Sequence, residues 1–503
     1  MGKKGKIQEN KYKIEFVDRV LDPVHGFIDL TQVEKEIIEL PIFKRLQSLK
    51  QLSLTNWVFP GAEHTRYMHS LGVMHIVDLM AINIRTLDYK QVYNDGQRQL
   101  LRLAGLLHDI GHYPLSHVTE YVYNSKLLEE KQSLYDHNQI VKTEINELNS
   151  NEVPLPDYMK DRYSKPMHHE SMGTKVIKSD KNIISIISKY CPFINIDDIC
   201  DIIVGCVDRN PKISSMVQLI HSEVDADGID YIMRDATFSG TSYGGFELGL
   251  LLRNLVIEKY NGIDIVGIRP KGISVVDQYL VSKYFAYTQV IFNRHVAIYD
   301  TMAEMFTKAL IRLSKSTYPN ASQLLSYVNN HCTNDEYLKF TDRTFWTQLD
   351  SLNTSDVDLG DYVSKYIVNI HDKLQHYKEF ESKKSEEFVI TSNKRRKVFN
   401  SISNQIIYKH LDNADEKSLL LFHTKGFTNE IPKDEYLERV NAIYKTPISE
   451  KEFIENYNTK RLQEGVAIIE SNSEMHLLVD DTRSIMSHLY DTKTYILREY
   501  YIS

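Results

Sequence analysis

The stretch LAGLLHDIGHYPLSH, residues 103–117, constrains this chain more than any other. Its first half, Leu103 to Leu107, is apolar and reads as a helix entering a core. Yet His108, Asp109, His112 and His117 follow at once. Ionisable groups are costly in an apolar interior unless something binds them. One core histidine is usually satisfied by a hydrogen bond, but this density is met better by a buried cation, since neutral imidazole and carboxylate both ligate divalent metals. Two further candidates are His69, in EHTRYMHSLGV (63–73), and Asp227, in HSEVDADGIDYIMRD (221–235). His69, His108, Asp109 and Asp227 together offer two nitrogens and two oxygens, with positions left for water and substrate. Such mixed ligation suits manganese, iron, magnesium or zinc, and the sequence does not choose among them. The acidic run is no EF-hand loop, because Gly228 follows Asp225 too closely.

The apolar spacing predicts a helix over Gln99–Tyr113, ended by Pro114. On it His108 and His112 share a face one turn apart, and Asp109 lies about 100° round the axis. His112 is then the first candidate to carry a proton, as imidazole titrates near neutrality. Arg66 shares a helix face with His69, and a guanidinium beside a metal is a natural phosphate clamp.

Most of the chain shows helical spacing, including Val33–Leu54, Met68–Leu87 and Tyr279–Leu313. Leu255–Tyr260 and Ile263–Ile268 flank Asn261-Gly262 and predict a hairpin. From about residue 315 the composition shifts toward Asn, Ser, Lys and Asp. Helix is expected to about 415, then strands at Ser418–His423, Val466–Glu470, Met475–Val479 and Tyr495–Ile502. We place a boundary near 320, giving units 1–320 and 321–503, the second a candidate for oligomerisation or regulation. The four cysteines (Cys191, Cys200, Cys206, Cys332) show no CxxC spacing, which implies free thiols in a reducing, cytoplasmic setting. Residues 1–13 are basic but lead into no apolar run, Lys6 breaks the Gly2 myristoylation pattern, and no stretch is apolar enough to span a membrane. A net charge of −8 supplies no global pull toward nucleic acid. The tetrad Lys394-Arg-Arg-Lys397 reads as a solvated helix face.

The ordered set H…HD…D resembles the HD-domain metal-dependent phosphohydrolases. More narrowly, the chain resembles their deoxynucleoside triphosphate triphosphohydrolase branch, which includes bacterial dGTPase-like enzymes and the vertebrate SAM-and-HD-domain dNTPase. The matching blocks are LDPVHGFIDL (21–30), FKRLQSLKQL (43–52), VFPGAEHTRYMHSLGV (58–73), LAGLLHDIGHYPLSH (103–117), HHE (168–170), VDADGIDYIMRD (224–235) and NRHVAIYDTM (293–302). They cover roughly residues 17–310 in the family's order; the C-terminal third has no comparable match. The resemblance implies a mainly α, HD-domain helical core with a small β-hairpin, followed by a mixed α/β C-terminal region. It implies hydrolysis of a deoxynucleoside triphosphate to deoxynucleoside and triphosphate, with His112 donating the proton to the leaving sugar oxygen. His169 is implied as a second catalytic partner of His112, and His117 as a further active-site histidine with Glu120 orienting it. Arg66 is implied on the phosphates, Tyr231 and Leu52 where a ribose 2′-OH would sit, and Gln51 and Asp235 on the sugar 3′-OH. A homo-oligomer and an allosteric nucleotide are implied as well.

Two departures stand out. The residue after the metal aspartate is basic in the dNTPase branch and here is Gly228. Either another cation reaches the phosphates, Arg294 and His295 being placed for it by the family's order, or the substrate differs. At the positions that read the activating guanine nucleotide in the vertebrate enzyme stand Glu39 and Gln47, and Gln47 cannot replace a guanidinium. No SAM domain is expected. The alternatives are an HD hydrolase of another nucleotide or nucleic-acid end, or a nucleotide-sensing, partner-binding subunit. Whether such an activity serves pool control or antiviral defence is left open by the sequence.

Overall fold

The computed structural model describes residues 12–124, 167–312, 316–329, 335–350, 382–390, 418–428, 458–490 and 493–501. The Lys394–Lys397 tetrad, Cys332, and the helix expected over 351–381 and 391–415 lie outside the described residues.

A hairpin of β1 (Phe16–Asp22) and β2 (Gly26–Thr31) opens the fold and runs straight into helix α1 (Gln32–Ile38). Glu34 caps the start of α1, its Oε2 accepting the Thr31 amide at 2.8 Å. The long helix expected over Val33–Leu54 is instead three short pieces. Pro41 starts a new four-residue helix, as its fixed φ and missing N–H suit a first-turn position, and a 3₁₀ turn follows at Arg45–Ser48.

The core is built on α2 (Arg66–Asn83) and α3 (Asp95–Leu107). In α2, Leu71, Val73, Met74, Ile76, Val77 and Met80 are all buried, each contributing about 1.5–3 kcal/mol by leaving water. Arg102 of α3, itself buried, pairs with Glu34 Oε2 at 2.6 Å and Asp78 Oδ2 at 2.9 Å, locking α1, α2 and α3 together. The third helix ends at Leu107, before Pro114 can act, and residues 108–111 turn. The turn lets Gly111 run against the helix that starts at His169: a Cβ there would lie 2.2 Å from Gly173 N and 2.3 Å from His169 O. After it come α4 (His117–Asn124), α5 (His169–Ser179) and α6 (Ala226–Ser239).

β3 (Leu255–Tyr260) and β4 (Ile263–Ile268) form the expected hairpin, with Asn261 and Gly262 at φ 50° and 81°. The expected helix Tyr279–Leu313 is divided into α7 (Ile273–Phe285), a π-helical stretch at Ala286–Ile291, and α8 (Arg294–Arg312). Asn293 Oδ1 accepts the His295 amide and so restarts the helix. Beyond it, α9 spans Asp342–Asp350.

β5 (Ala467–Ile469) adds in parallel to β4, and β6 (Met475–Leu477) adds antiparallel to β5. With Arg85–Thr86 on the other side of β3, this makes a five-stranded sheet. A separate antiparallel sheet places Lys493–Tyr501 between Ser382–Ile390 and Ser418–Gly426. The first of its outer strands falls where helix was expected, and long-range pairing to Lys493–Tyr501 holds it extended.

Candidate metal and hydrolase site

Three helices and the turn after α3 converge on one cluster. Thr65 begins α2 and places His69, wholly buried, one turn in. His108 stands at the end of α3, its Nδ1 held 2.8 Å from Gly105 O, so the other ring nitrogen faces inward. That Nε2 is buried without a hydrogen-bond partner among the described residues and lies 3.4 Å from Asp109 Oδ1. Asp225 caps α6 by accepting the Gly228 amide at 2.7 Å, which sets Asp227 in the first turn. Asp227 Oδ1 comes within 2.9 Å of His69 Nε2, and Asp109 Oδ2 within 3.9 Å. Donor atoms of His69, His108 and Asp109 all lie within 4.8 Å of one another.

Burial would push the His69 imidazole down, but hydrogen bonds and charge from Asp227 and Asp230 outweigh it and raise it to about 10. Burial opposes ionisation of Asp109 too, yet Arg66 and the surrounding histidines hold it well below the usual carboxylate range. A proton trapped among carboxylates, beside an unpartnered imidazole nitrogen, is the environment a divalent cation would replace. The donor set fits one.

Sequence reasoning missed Asp230. Wholly buried, it accepts from His69 Nδ1 at 2.7 Å, fixing which nitrogen of His69 faces the cluster. Asp230 is held in turn by His25 and by Arg234, whose Nη1 also pairs with Asp22 at 2.8 Å. The available signal was its position three after Asp227 and four before Arg234 on one helix.

A second group of histidines shares the Asp109 wall. His112 is fully buried and stacks on His169, with centroids 4.2 Å apart and planes at 19°; His117 meets it edge-on at 4.7 Å. His112 Nε2 is 3.7 Å and His169 Nε2 4.0 Å from Asp109 Oδ1. Glu120 grips the other two rings: His169 Nδ1 at 3.0 Å and His117 Nδ1 at 2.9 Å. Burial depresses His112 well below its ordinary value, and the charges of Arg66 and His169 add to this. Burial acts the same way on His169, but Glu120 reverses it and raises the ring to about 9. The turn, rather than a continuous helix face, sets both His108 and His112 against Asp109 Oδ1.

The remaining expected residues divide. Arg66 is buried and fully engaged, donating to Ser116 Oγ at 3.0 Å, Asp109 Oδ2 at 2.8 Å and Gln51 O at 3.3 Å. Gln51 is buried beside it with its Oε1 unpartnered, and Leu52 packs on the core. Asp235 Oδ1 lies 2.8 Å from His64 Nε2, and Tyr231 stands one turn beyond Asp227, beside Tyr287. Arg294 and His295 contact each other, Nε to Nε2 at 3.1 Å, at the exposed start of α8, and His295 feels Arg498. None of these contacts joins them to the cluster. At Gly228 a Cβ would meet the Tyr279 hydroxyl at 2.3 Å, so a basic side chain has no room to leave the backbone there. One turn along α7 from Tyr279, Lys283 Nζ sits 3.2 Å from Glu223 Oε1, close enough to bias Asp225 and Tyr287.

Residues 66–192 match the HD domain family model. Over that span the chain is similar to HD domains. It is 29% identical over 273 residues to the Bacillus subtilis protein YwfO, covering 54% of this chain and 51% of that one. It is 45% identical over 100 residues to the deoxynucleoside triphosphate triphosphohydrolase SAMHD1 of Gallus gallus, covering 19% and 16%. A crystal structure of a phosphohydrolase from Bacteroides thetaiotaomicron superposes with TM-score 0.59 at 18% identity, over 97% of this chain and all of that one. The chain spans about half the length of the first of these relatives. Among the described residues, no helix is long and apolar enough to cross a membrane.

Proposed function

We propose that this chain hydrolyses deoxynucleoside triphosphates at the α-phosphorus, releasing deoxynucleoside and triphosphate. The supporting observation is that one carboxylate, Asp109, faces both a cation-ready set and a stack of histidines. His69, His108, Asp109 and Asp227 would hold a divalent cation. Bound there, it would polarise a phosphate oxygen and acidify a water. Arg66 keeps Asp109 ionised and aimed. His112, held neutral, lines up the stack. His169 and His117, each backed by Glu120, are the proton carriers, and one of them gives the leaving sugar oxygen its proton. Burial and the charges of Arg66 and His169 disfavour a cationic His112, so in this reading its neighbours take the donor's role that the family resemblance gives to His112. Leu52 and Tyr231 exclude a ribose 2′-OH, while Gln51 and Asp235 take the 3′-OH. Residues 1–320 form the catalytic unit in this reading, with 321–503 as a regulatory or assembly region of a homo-oligomer.

A second reading is favoured by the Tyr279 hydroxyl that fills the space at Gly228. A substrate with fewer phosphates would need no cation there. The test incubates purified protein with manganese or iron and each dNTP and NTP in turn, with products read by mass spectrometry. Deoxynucleoside plus triphosphate is the expected outcome, abolished in Asp227→Asn with the fold intact. Intact nucleotides under every metal, or wild-type rates in Asp227→Asn, would sink the assignment.

A further inference from the structure

Residues Asp335–Asp350 lie beyond the HD match, yet they close on the turn that carries the histidines. Asp342, buried at the start of α9, accepts from two backbone amides with its two oxygens: Lys50 N at 2.9 Å and Leu115 N at 2.7 Å. One amide belongs to the loop that continues into Gln51 and Leu52. The other belongs to the turn that continues into Ser116 and His117. Arg45 spans the same gap. Its Nε donates to Phe340 O at 3.0 Å, its Nη1 to Ile110 O at 3.4 Å and its Nη2 to His112 O, while the guanidinium lies 4.5 Å from the Tyr337 ring centroid. Ser116 Oγ completes the seam by donating to Lys50 O at 2.7 Å.

The turn so held is not one the chain would adopt unaided. Leu115 and Ser116 have φ of 53° and 55°, and Ser53, on the other loop, has 48°. Side-chain-bearing residues stay in that region only where their surroundings over-determine it. Here the surroundings are a carboxylate and a guanidinium aimed at main-chain groups, an arrangement that fixes where His112 and His117 stand without touching either ring.

We propose that Asp342 is a positioning residue, and that the segment around it is a latch whose docking sets the geometry of the catalytic turn. Its effect on turnover rests on the proposed hydrolase reading; its effect on the turn does not. The full-length wild type, Asp342→Ala, the near-isosteric Asp342→Asn and the exposed control Asp335→Ala would be compared by amide hydrogen exchange. Asp342→Ala is expected to speed exchange at least tenfold at residues 49–53 and 113–118. Asp342→Asn, left with one acceptor oxygen, should fall between, and Asp335→Ala should match the wild type. The β3–β4 hairpin serves as internal reference and should not change in any of them. Exchange that is unchanged at both loops, or that rises equally in the hairpin, would overturn the latch. On the nucleotide the wild type turns over fastest, kcat should drop at least tenfold in Asp342→Ala and be partly restored in Asp342→Asn. Faster loop exchange with wild-type kcat would overturn the positioning role. A wild type inactive on every nucleotide would count against the hydrolase reading alone, since the exchange result decides the latch by itself.

Discussion

Gly111 lies where the histidine-bearing turn passes close to α5. A Cβ at residue 111 would stand 2.2 Å from Gly173 N, 2.3 Å from His169 O and 2.7 Å from Gly173 Cα. All three are backbone atoms, so no flexible side-chain tip can yield. Restoring ordinary contact needs a shift of about 1 Å between the turn and the first turn of α5, and overpacking of that kind costs about 1–3 kcal/mol. The shift also moves the carbonyl of His169, and with it a ring stacked only 4.2 Å from His112. Gly111→Ala should therefore lower the unfolding free energy by that amount and reduce turnover sharply, because displacements of about 1 Å in a site can cost 100-fold. Gly173→Ala is the built-in control. Its Cβ would meet nothing nearer than 3.5 Å, so stability and rate should stay near wild type. Denaturant titration and steady-state kinetics on both variants decide the matter. If Gly111→Ala behaves like Gly173→Ala, the close backbone passage is not what sets the histidine stack.

Two further outcomes follow from contacts already described. Asp230→Asn should weaken manganese binding about 10–100-fold in calorimetric titration, because the oxygen that orients His69 is compromised; unaltered affinity would refute that role. Gly228→Ala should destabilise by about 1–3 kcal/mol. The same change in a Tyr279→Phe background should cost less but not vanish, since the ring's Cζ is 3.6 Å away while Asp225 Oδ1 remains at 2.8 Å. Equal costs in the two backgrounds, measured as a double-mutant cycle, would show that the hydroxyl is not the obstacle.

What could be read from the chain in advance was whatever local chemistry encodes. Asn261-Gly262 specified its hairpin, since only a turn with positive φ at both residues joins two such runs. His108 and Asp109 stood out because they interrupt apolar sequence. Asp230 did not, since an aspartate four residues before an arginine looks the same whether the pair faces water or, as here, lies buried under His25 and His69. The end of α3 was misplaced because its cause, the passage of Gly111 against Gly173, joins residues far apart in sequence. Ser382–Ile390 carried no alternating apolar pattern, and its strand character comes from its partner. Pro41 was a legible break that helical periodicity on either side of it concealed.

The five-stranded sheet has a consequence for how the chain is made. β4 and its neighbour β5 are separated by nearly two hundred residues, and the join is reinforced where Ser484 and the Ile485 amide bond to Asp277. A ribosome will have finished the histidine-bearing core long before it supplies the strand that covers the open side of the hairpin. Until then the outward main-chain groups of β4 are an uncovered edge, of the kind that recruits strands from other chains. A chain stopped short of residue 467 would carry every residue of the cation cluster and still be prone to aggregate.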